Sequence, residues 1–197
     1  RRQRQMCIRD RHTPKAQARK ELGLEENKTT LLLMSGSMGF GKPAALVHAL
    51  LHSFGKGTSI VALCGGNKKL LQALREEFSV CPNVMPLPFT DKVGLYMDAC
   101  DLLFTKPGGL TSTEAAVKNI PIIHTEPIPG CETKNAQFFV RNGLSLFCPG
   151  RPQDTARSAY ELLHDKNEVE QMLRRQREHI KPDAAEKICT LLEESAI

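Results

Sequence analysis

The chain has 197 residues, 41% of them apolar and 25% charged, which is enough for one compact domain with a core of its own. Its formal net charge of +5 is local: residues 1–20 carry eight Lys or Arg against one Asp, and the remainder carries nineteen against twenty-one acids. A near-neutral body with no Trp and two Tyr argues against a nucleic-acid surface, and no apolar run approaches the roughly 18 residues of a membrane span.

In chain order, the opening "RRQRQMCIRDR" matches nothing that follows. It reads as translated adapter sequence, with the gene starting further upstream, or as a disordered basic tail. Residues 1–12 are therefore set apart from a domain expected over 13–197. In "TPKAQARKELGL", Thr13 caps a helix that Pro14 enters and Gly23 stops.

The β-branched and apolar run Thr29 to Met34 predicts a buried strand. "PAALVHALLHSF" predicts a helix with Leu46, Val47, Leu50, Leu51 and Phe54 on one face. Strand "TSIVALC", helix "NKKLLQALREEF", strand "NVMPL", helix "KVGLYMDAC", strand "DLLFT", helix "LTSTEAAVKN" and strand "PIIHT" follow. Then come a helix over "KNAQFFVRNG" and a short strand in "LSLFC". Three helices close the chain, from about Thr155 to His164, Lys166 to Ile180 and Asp183 to Glu194.

Continuous rather than alternating apolar strands, each followed by a helix, imply an α/β fold: a Rossmann-like parallel sheet with helices on both faces. Ligands of such folds sit at the carboxyl ends of the strands.

The seven cysteines (Cys7, Cys64, Cys81, Cys100, Cys131, Cys148, Cys189) never stand as CxxC or beside a His at a metal-ligand interval. They read as small packing residues in a reducing compartment. Nothing at the start has the order of a signal peptide, so a cytosolic protein is expected. His48 and His52 are four apart on a helix but lack a third metal ligand, so they read as partly exposed helix residues. His124, ending a strand, reads as a satisfied core or rim histidine before it reads as a base.

"SGSMGFGKPA" fits a phosphate-binding P-loop as far as Lys42, but Pro43 stands where magnesium chemistry needs a hydroxyl. Pro43 suits instead the first turn of the next helix, and Lys42 becomes a surface residue. Gly36, Gly39 and Gly41 are not spaced GxGxxG, and "VALCGG" offers no acid for a ribose. A glycine-rich strand-to-helix turn remains, suited to an anion or to an ordinary tight turn.

"TKPGGLTSTEAAVKNIPII" carries more. Gly108 and Gly109 let a ligand approach the backbone, and Leu110 with Thr111 opens a helix whose first N–H groups suit a diphosphate. Glu114, one turn in, offers a carboxylate to both hydroxyls of a ribose. Thr111 and Glu114 equally fit a Thr-x-x-Glu capping box, although a cap alone does not ask for two glycines.

With "LLLMSGSMGFG", "VMPLPFTDKVGLYMDACDLLFTKPGGLTSTEA" and "IPIIHTEPIPGCETKNAQFF", the chain resembles the carboxyl-terminal, donor-binding domain of GT-B glycosyltransferases. The resemblance is to the monogalactosyldiacylglycerol synthase and processive diacylglycerol glucosyltransferase family. It implies that Gly108, Gly109, Leu110 and Thr111 hold the diphosphate of a UDP-sugar and that Glu114 binds the ribose. Phe89 and Thr90 would pair their backbone with uracil, Val93 would cover the ring, and Gly36, Ser37 and Gly39 would lie near the diphosphate and sugar.

Glu132, Thr133 and Asn135 in "PGCETKNA" would contact the sugar, with Cys131 standing where relatives often have Gln. The implied donor is UDP-glucose or UDP-galactose, with no metal and no further cofactor. The implied acceptor is a lipid hydroxyl such as diacylglycerol, reached through an amino-terminal domain that would also supply the catalytic base. The resemblance further implies that the full-length protein is cytoplasmic and peripheral to the inner face of the cell membrane. A stand-alone UDP-sugar-binding subunit completed by a second chain is the other reading.

Overall fold

The computed structural model describes residues 12–34, 42–128 and 130–195. Six strands form one wholly parallel sheet: β1 (Thr29–Met34), β2 (Thr58–Leu63), β3 (Val84–Leu87), β4 (Leu102–Thr105), β5 (Ile122–His124) and β6 (Leu146–Phe147). Their spatial order is β3-β2-β1-β4-β5-β6. The chain therefore winds one way from β1 and the other way from β4, and the crevice where the direction reverses lies between the carboxyl ends of these two strands. Register brings Met34 of β1 beside Thr105 of β4 at that point.

The strands are apolar on both faces because both faces are covered. Leu31, Leu33, Ile60, Ala62, Leu102 and Phe104 point to one core, while Leu32, Val61, Leu63 and Leu103 point to the other. The first core is closed by helices α2 (Pro43–Phe54), α3 (Lys68–Glu77), α7 (Pro152–His164) and α8 (Lys166–His179), through Val47, Leu50, Leu74, Leu162 and Met172. The second is closed by α1 (Lys15–Leu22), α4 (Val93–Ala99), α5 (Gly109–Val117) and α6 (Cys131–Arg141), through Ala18, Met97, Ala115 and Phe139. Burying a side chain such as Phe104, which is 2% exposed, contributes roughly 2–3 kcal/mol.

Element boundaries depart from expectation at three places. α1 has Pro14 rather than Thr13 at its cap position; the Thr13 N–H instead donates to Asp98 Oδ2, 3.2 Å away. Gly23 ends the helix with φ 67°, as its position suggests. α6 begins at Cys131, so Glu132, Thr133 and Asn135 stand on its first turns and not in a loop. α7 begins at Pro152, three residues early, with Pro in the first turn where its missing N–H costs nothing.

α8 ends at His179 and is followed by α9 (Ala184–Glu194), which exposes Ile188, Leu191 and Leu192. Gln176 on α8 is wholly buried and donates to the carbonyls of Ile120 and Leu144, both at 2.9 Å. Its amide closes the backbone on either side of β5, a role that nothing local in "LRRQREH" signals.

At the amino ends of the strands a charged cluster locks α1, α4 and α5 together. Lys118 Nζ stands 2.7 Å from Asp98 Oδ1, with both side chains 2% exposed. Arg19 bonds Asp101, the Ala99 carbonyl and the Glu26 carbonyl, and Asp101 accepts from the Thr30 N–H at 2.7 Å. Such buried pairs add little net stability, but they fix geometry. Lys118 caps the carboxyl end of α5, so the pair holds the far end of the helix whose start faces the crevice.

No described helix is long and apolar enough to cross a membrane.

Candidate functional site

β4 delivers Thr105, and the chain turns through Lys106, Pro107 and Gly108 into α5. Gly108 is the cap residue and Gly109 the first helical residue, so Leu110 and Thr111 are the second and third. Thr111 thus lies inside the helix and cannot be its cap, which removes the capping-box alternative for Thr111 and Glu114. The first intrahelical bond runs from the Ser112 N–H to the Gly108 carbonyl, and the Gly108 N–H donates to the Lys106 carbonyl, so the N–H groups of residues 109–111 are the ones without an intrahelical partner. Glu114 lies one turn further in and is 5% exposed, whereas Leu110 is 53% exposed.

Among the described residues nothing requires either glycine. Gly108 has φ −73°, and Gly109 is outside the left-handed region. A methyl group on Gly108 would stand 3.9 Å from Glu132 Oε1, and one on Gly109 would stand 3.7 Å from Asn135 Nδ2. Both are ordinary contacts. Backbone strain and packing would tolerate alanine, so the missing side chains leave room above the helix start.

The same distances place Glu132 and Asn135 over the glycine turn, as the opposite wall. Asn135 Nδ2 donates to the Pro107 carbonyl at 3.0 Å. Glu132 Oε2 accepts from the Ile128 N–H at 2.6 Å, and Glu132 Oε1 pairs with Lys106 Nζ at 3.0 Å, both side chains 13% exposed. Lys106 was not singled out in the sequence, although it stands in the motif "KPGG"; its partner is 26 residues away.

Gly130 makes this wall. Its φ of 107° and ψ of −120° belong to a region that side chains rarely adopt, and they turn the chain directly into α6. Gly130→Ala is expected to cost about 1–3 kcal/mol and to loosen Glu132 from Lys106, read as a lower Tm. An unchanged Tm would show that the turn accepts a side chain.

On the far side of the crevice, Phe89 is 68% exposed between β3 and α4, and the Thr90 hydroxyl accepts from the Lys92 N–H at 3.1 Å. Val93 opens α4, packed against the second core. Gly36, Ser37, Gly39 and the Cys131 side chain lie outside the described residues, as does the basic segment 1–11. Thr133 is exposed on α6. Pro43 is the first residue of α2, as its position after the glycine turn predicts, and Lys42 before it is exposed.

A cleft of about 360 Å³ also opens at the carboxyl ends of the strands, lined by Leu33, Met34, Pro43, Phe104, Thr125 and Arg151. It is bounded by α2 and α7, and its described lining includes neither glycine.

His124 is a structural residue. It is fully buried, its ring nitrogens lie 2.8 Å from Ser112 Oγ and 2.9 Å from Ser145 Oγ, and Phe139 packs edge-on at 5.1 Å. Burial lowers its pKa to about 4, so it is neutral at pH 7. His48 pairs with Glu77 at 2.6 Å, and no cluster of three metal-ligating side chains occurs among the described residues. Cys64 and Cys100 are buried as expected of packing residues, but Cys189 is exposed on α9.

A parallel sheet in the order 3-2-1-4-5-6, with a glycine-started helix at its switch point and a carboxylate wall opposite, defines a Rossmann-like domain whose switch-point crevice has the helix start suited to an anion. The chain belongs to the glycosyltransferase family 28 C-terminal domain, whose profile matches residues 30–188.

Among curated proteins it is 34% identical over 150 residues to the processive diacylglycerol beta-glucosyltransferase of Staphylococcus carnosus, covering 76% of this chain and 37% of that protein. It is also 34% identical over 188 residues to the chloroplastic monogalactosyldiacylglycerol synthase of Spinacia oleracea, covering 92% and 36%. The chain thus spans little more than a third of the length of these relatives. A Staphylococcus aureus MnaA–UDP structure superposes with a TM-score of 0.72 at 16% identity, over 91% of this chain and 48% of that one. This last likeness is one of fold.

Proposed function

We propose that the chain is the donor-binding half of an inverting UDP-hexose-dependent glycosyltransferase that glycosylates a lipid hydroxyl such as that of diacylglycerol. The observation that carries the reading is the start of α5: two glycines that packing against the described residues does not require, beneath Glu132 and Asn135 and one turn from Glu114. Support comes also from the family, from relatives named for diacylglycerol glycosylation, and from a fold that holds UDP in another protein.

In this reading the diphosphate lies on the N–H groups of residues 109–111. Uracil reaches toward Phe89, Thr90 and Val93, the ribose hydroxyls bond Glu114, and the hexose meets Glu132, Thr133 and Asn135. Gly36, Ser37 and Gly39, outside the described residues, are assigned to the diphosphate and sugar by the family resemblance alone. The acceptor oxygen attacks the anomeric carbon as the bond to the diphosphate breaks. The N-terminal end of α5 stabilises the charge growing on the UDP oxygens, without a metal.

The base that takes the acceptor proton, and contact with the membrane's inner face, belong to the additional length found in the relatives. The donor domain is taken to span residues 13–197, and His12 just ahead of it still pairs with Asp98 at 2.9 Å.

Calorimetric titration with UDP, UDP-glucose, UDP-galactose and Mg-ATP tests the reading. Binding of UDP and of a UDP-hexose is expected, and binding of ATP alone would refute it. Gly109→Ala should leave Tm unchanged or slightly raised, because glycine inside a helix is unfavourable, while UDP binds about tenfold more weakly. Unchanged UDP affinity would mean that the glycine is not there for a ligand.

A further inference from the structure

We infer that Lys106 is a charge-compensating positioning residue: it neutralises Glu132 so that a carboxylate can face the hexose without repelling the neighbouring diphosphate. The inference rests on the donor-binding reading above and deepens it.

The difficulty it resolves is electrostatic. Glu132 Oε1 stands 3.9 Å from where a methyl group on Gly108 would be, directly over the helix start assigned to the diphosphate. At that range, in a crevice that shields charges less than water does, an uncompensated carboxylate opposes a ligand carrying two or more negative charges. Yet a carboxylate is the better acceptor for sugar hydroxyls, since its bonds are charge-assisted.

Lys106 reconciles the two. Its Nζ stands 3.0 Å from the oxygen nearest the glycine, with both side chains largely withdrawn from solvent. The other oxygen is held by the Ile128 N–H at 2.6 Å, so the carboxylate is clamped from both sides. Each oxygen has two lone pairs, and each clamp occupies one, leaving acceptor capacity toward the crevice.

The pair is also a tie between the two walls. Lys106 leads from β4 into the glycine turn, and Glu132 sits in the first turn of α6 just after the strained Gly130. Asn135 Nδ2 on the Pro107 carbonyl makes a second tie one turn along α6. A lysine that served packing alone would not need to stand against a carboxylate placed over the helix start.

The test is a double-mutant cycle on the chain, read by calorimetry with three probes: uridine, UDP and UDP-hexose. Lys106→Met should weaken UDP about tenfold and leave uridine unchanged, because only the diphosphate meets the exposed charge. Glu132→Gln alone should bind UDP at least as well as wild type while losing the extra affinity for UDP-hexose. The combined Lys106→Met, Glu132→Gln variant should regain UDP affinity close to wild type, and Lys106→Arg should retain it.

If the double variant binds UDP as weakly as Lys106→Met, lysine contacts the diphosphate directly and the inference fails. Equal weakening of uridine and UDP by Lys106→Met would mean a general loss of structure and would also overturn it. A wild-type chain that binds neither UDP nor UDP-hexose would remove the donor-binding reading itself, a failure distinct from the absence of coupling between positions 106 and 132.

Discussion

Glu114→Ala is expected to lower UDP affinity by about 10- to 100-fold, since a hydrogen bond to a charged group is worth roughly 1.5–3 kcal/mol. Glu114 lies one turn inside α5 and is 5% exposed, and in the proposed donor pose the ribose lies across the start of this helix. Probes that isolate the hydroxyls sharpen the result. The wild type should prefer UDP to 2′,3′-dideoxy-UDP, and the alanine variant should bind the two alike. Glu114→Gln keeps the shape and one acceptor oxygen, so its loss should be smaller. A folded alanine variant with undiminished preference for the ribose hydroxyls would assign Glu114 to the core and not to the ligand.

Acid should destabilise the domain through His124. Its pKa falls from the ordinary 6.5 to about 4 on burial, so between these values the unfolded chain binds the extra proton and the folded chain does not. Stability contributed by the neutral ring is complete above about pH 6.5, declines as pH falls, and is fully lost below about pH 4. A shift of this size corresponds to roughly 3 kcal/mol. The physical cause is burial: the ring is fully withdrawn from water, so its charged form loses its hydration, while both nitrogens are held by Ser112 and Ser145. Denaturant titrations of wild type and His124→Gln at pH 7 and pH 4.5 should show a much flatter pH dependence in the variant. Parallel curves would place the acid sensitivity elsewhere.

The strand and helix order was legible because it is written in short-range chemistry. "TTLLLM" and "DLLFT" are apolar without alternation, as strands covered on both faces must be, and Pro43 and Gly23 mark a helix start and a helix stop. Boundaries slipped where distant groups outbid local ones. Thr13 reads as a cap until its N–H is seen bound to Asp98, 85 residues away. α6 starts earlier than "KNAQFF" suggests because Gly130 adopts a backbone conformation that turns the chain immediately into the helix.

The candidate site was legible in the same unequal way. Two adjacent glycines after a proline mark a helix start with room above it, so Gly108, Gly109 and Glu114 stood out from spacing alone. Whether Thr111 was cap or helix interior depended on where the helix begins, and it begins three residues before a Thr111 cap would place it, with Gly108 at the cap position.

Lys106 could not be distinguished from a surface lysine, because its meaning lies in a carboxylate 26 residues on, delivered by a different strand. Gln176 and the Asp98–Lys118 pair were hidden for the same reason. Residue type and periodicity encode what each segment can form, since those preferences act over three or four neighbours. Which charges meet, and which wall faces the glycine turn, follows from the order of strands in the sheet, where many weak contacts across the whole chain are settled together.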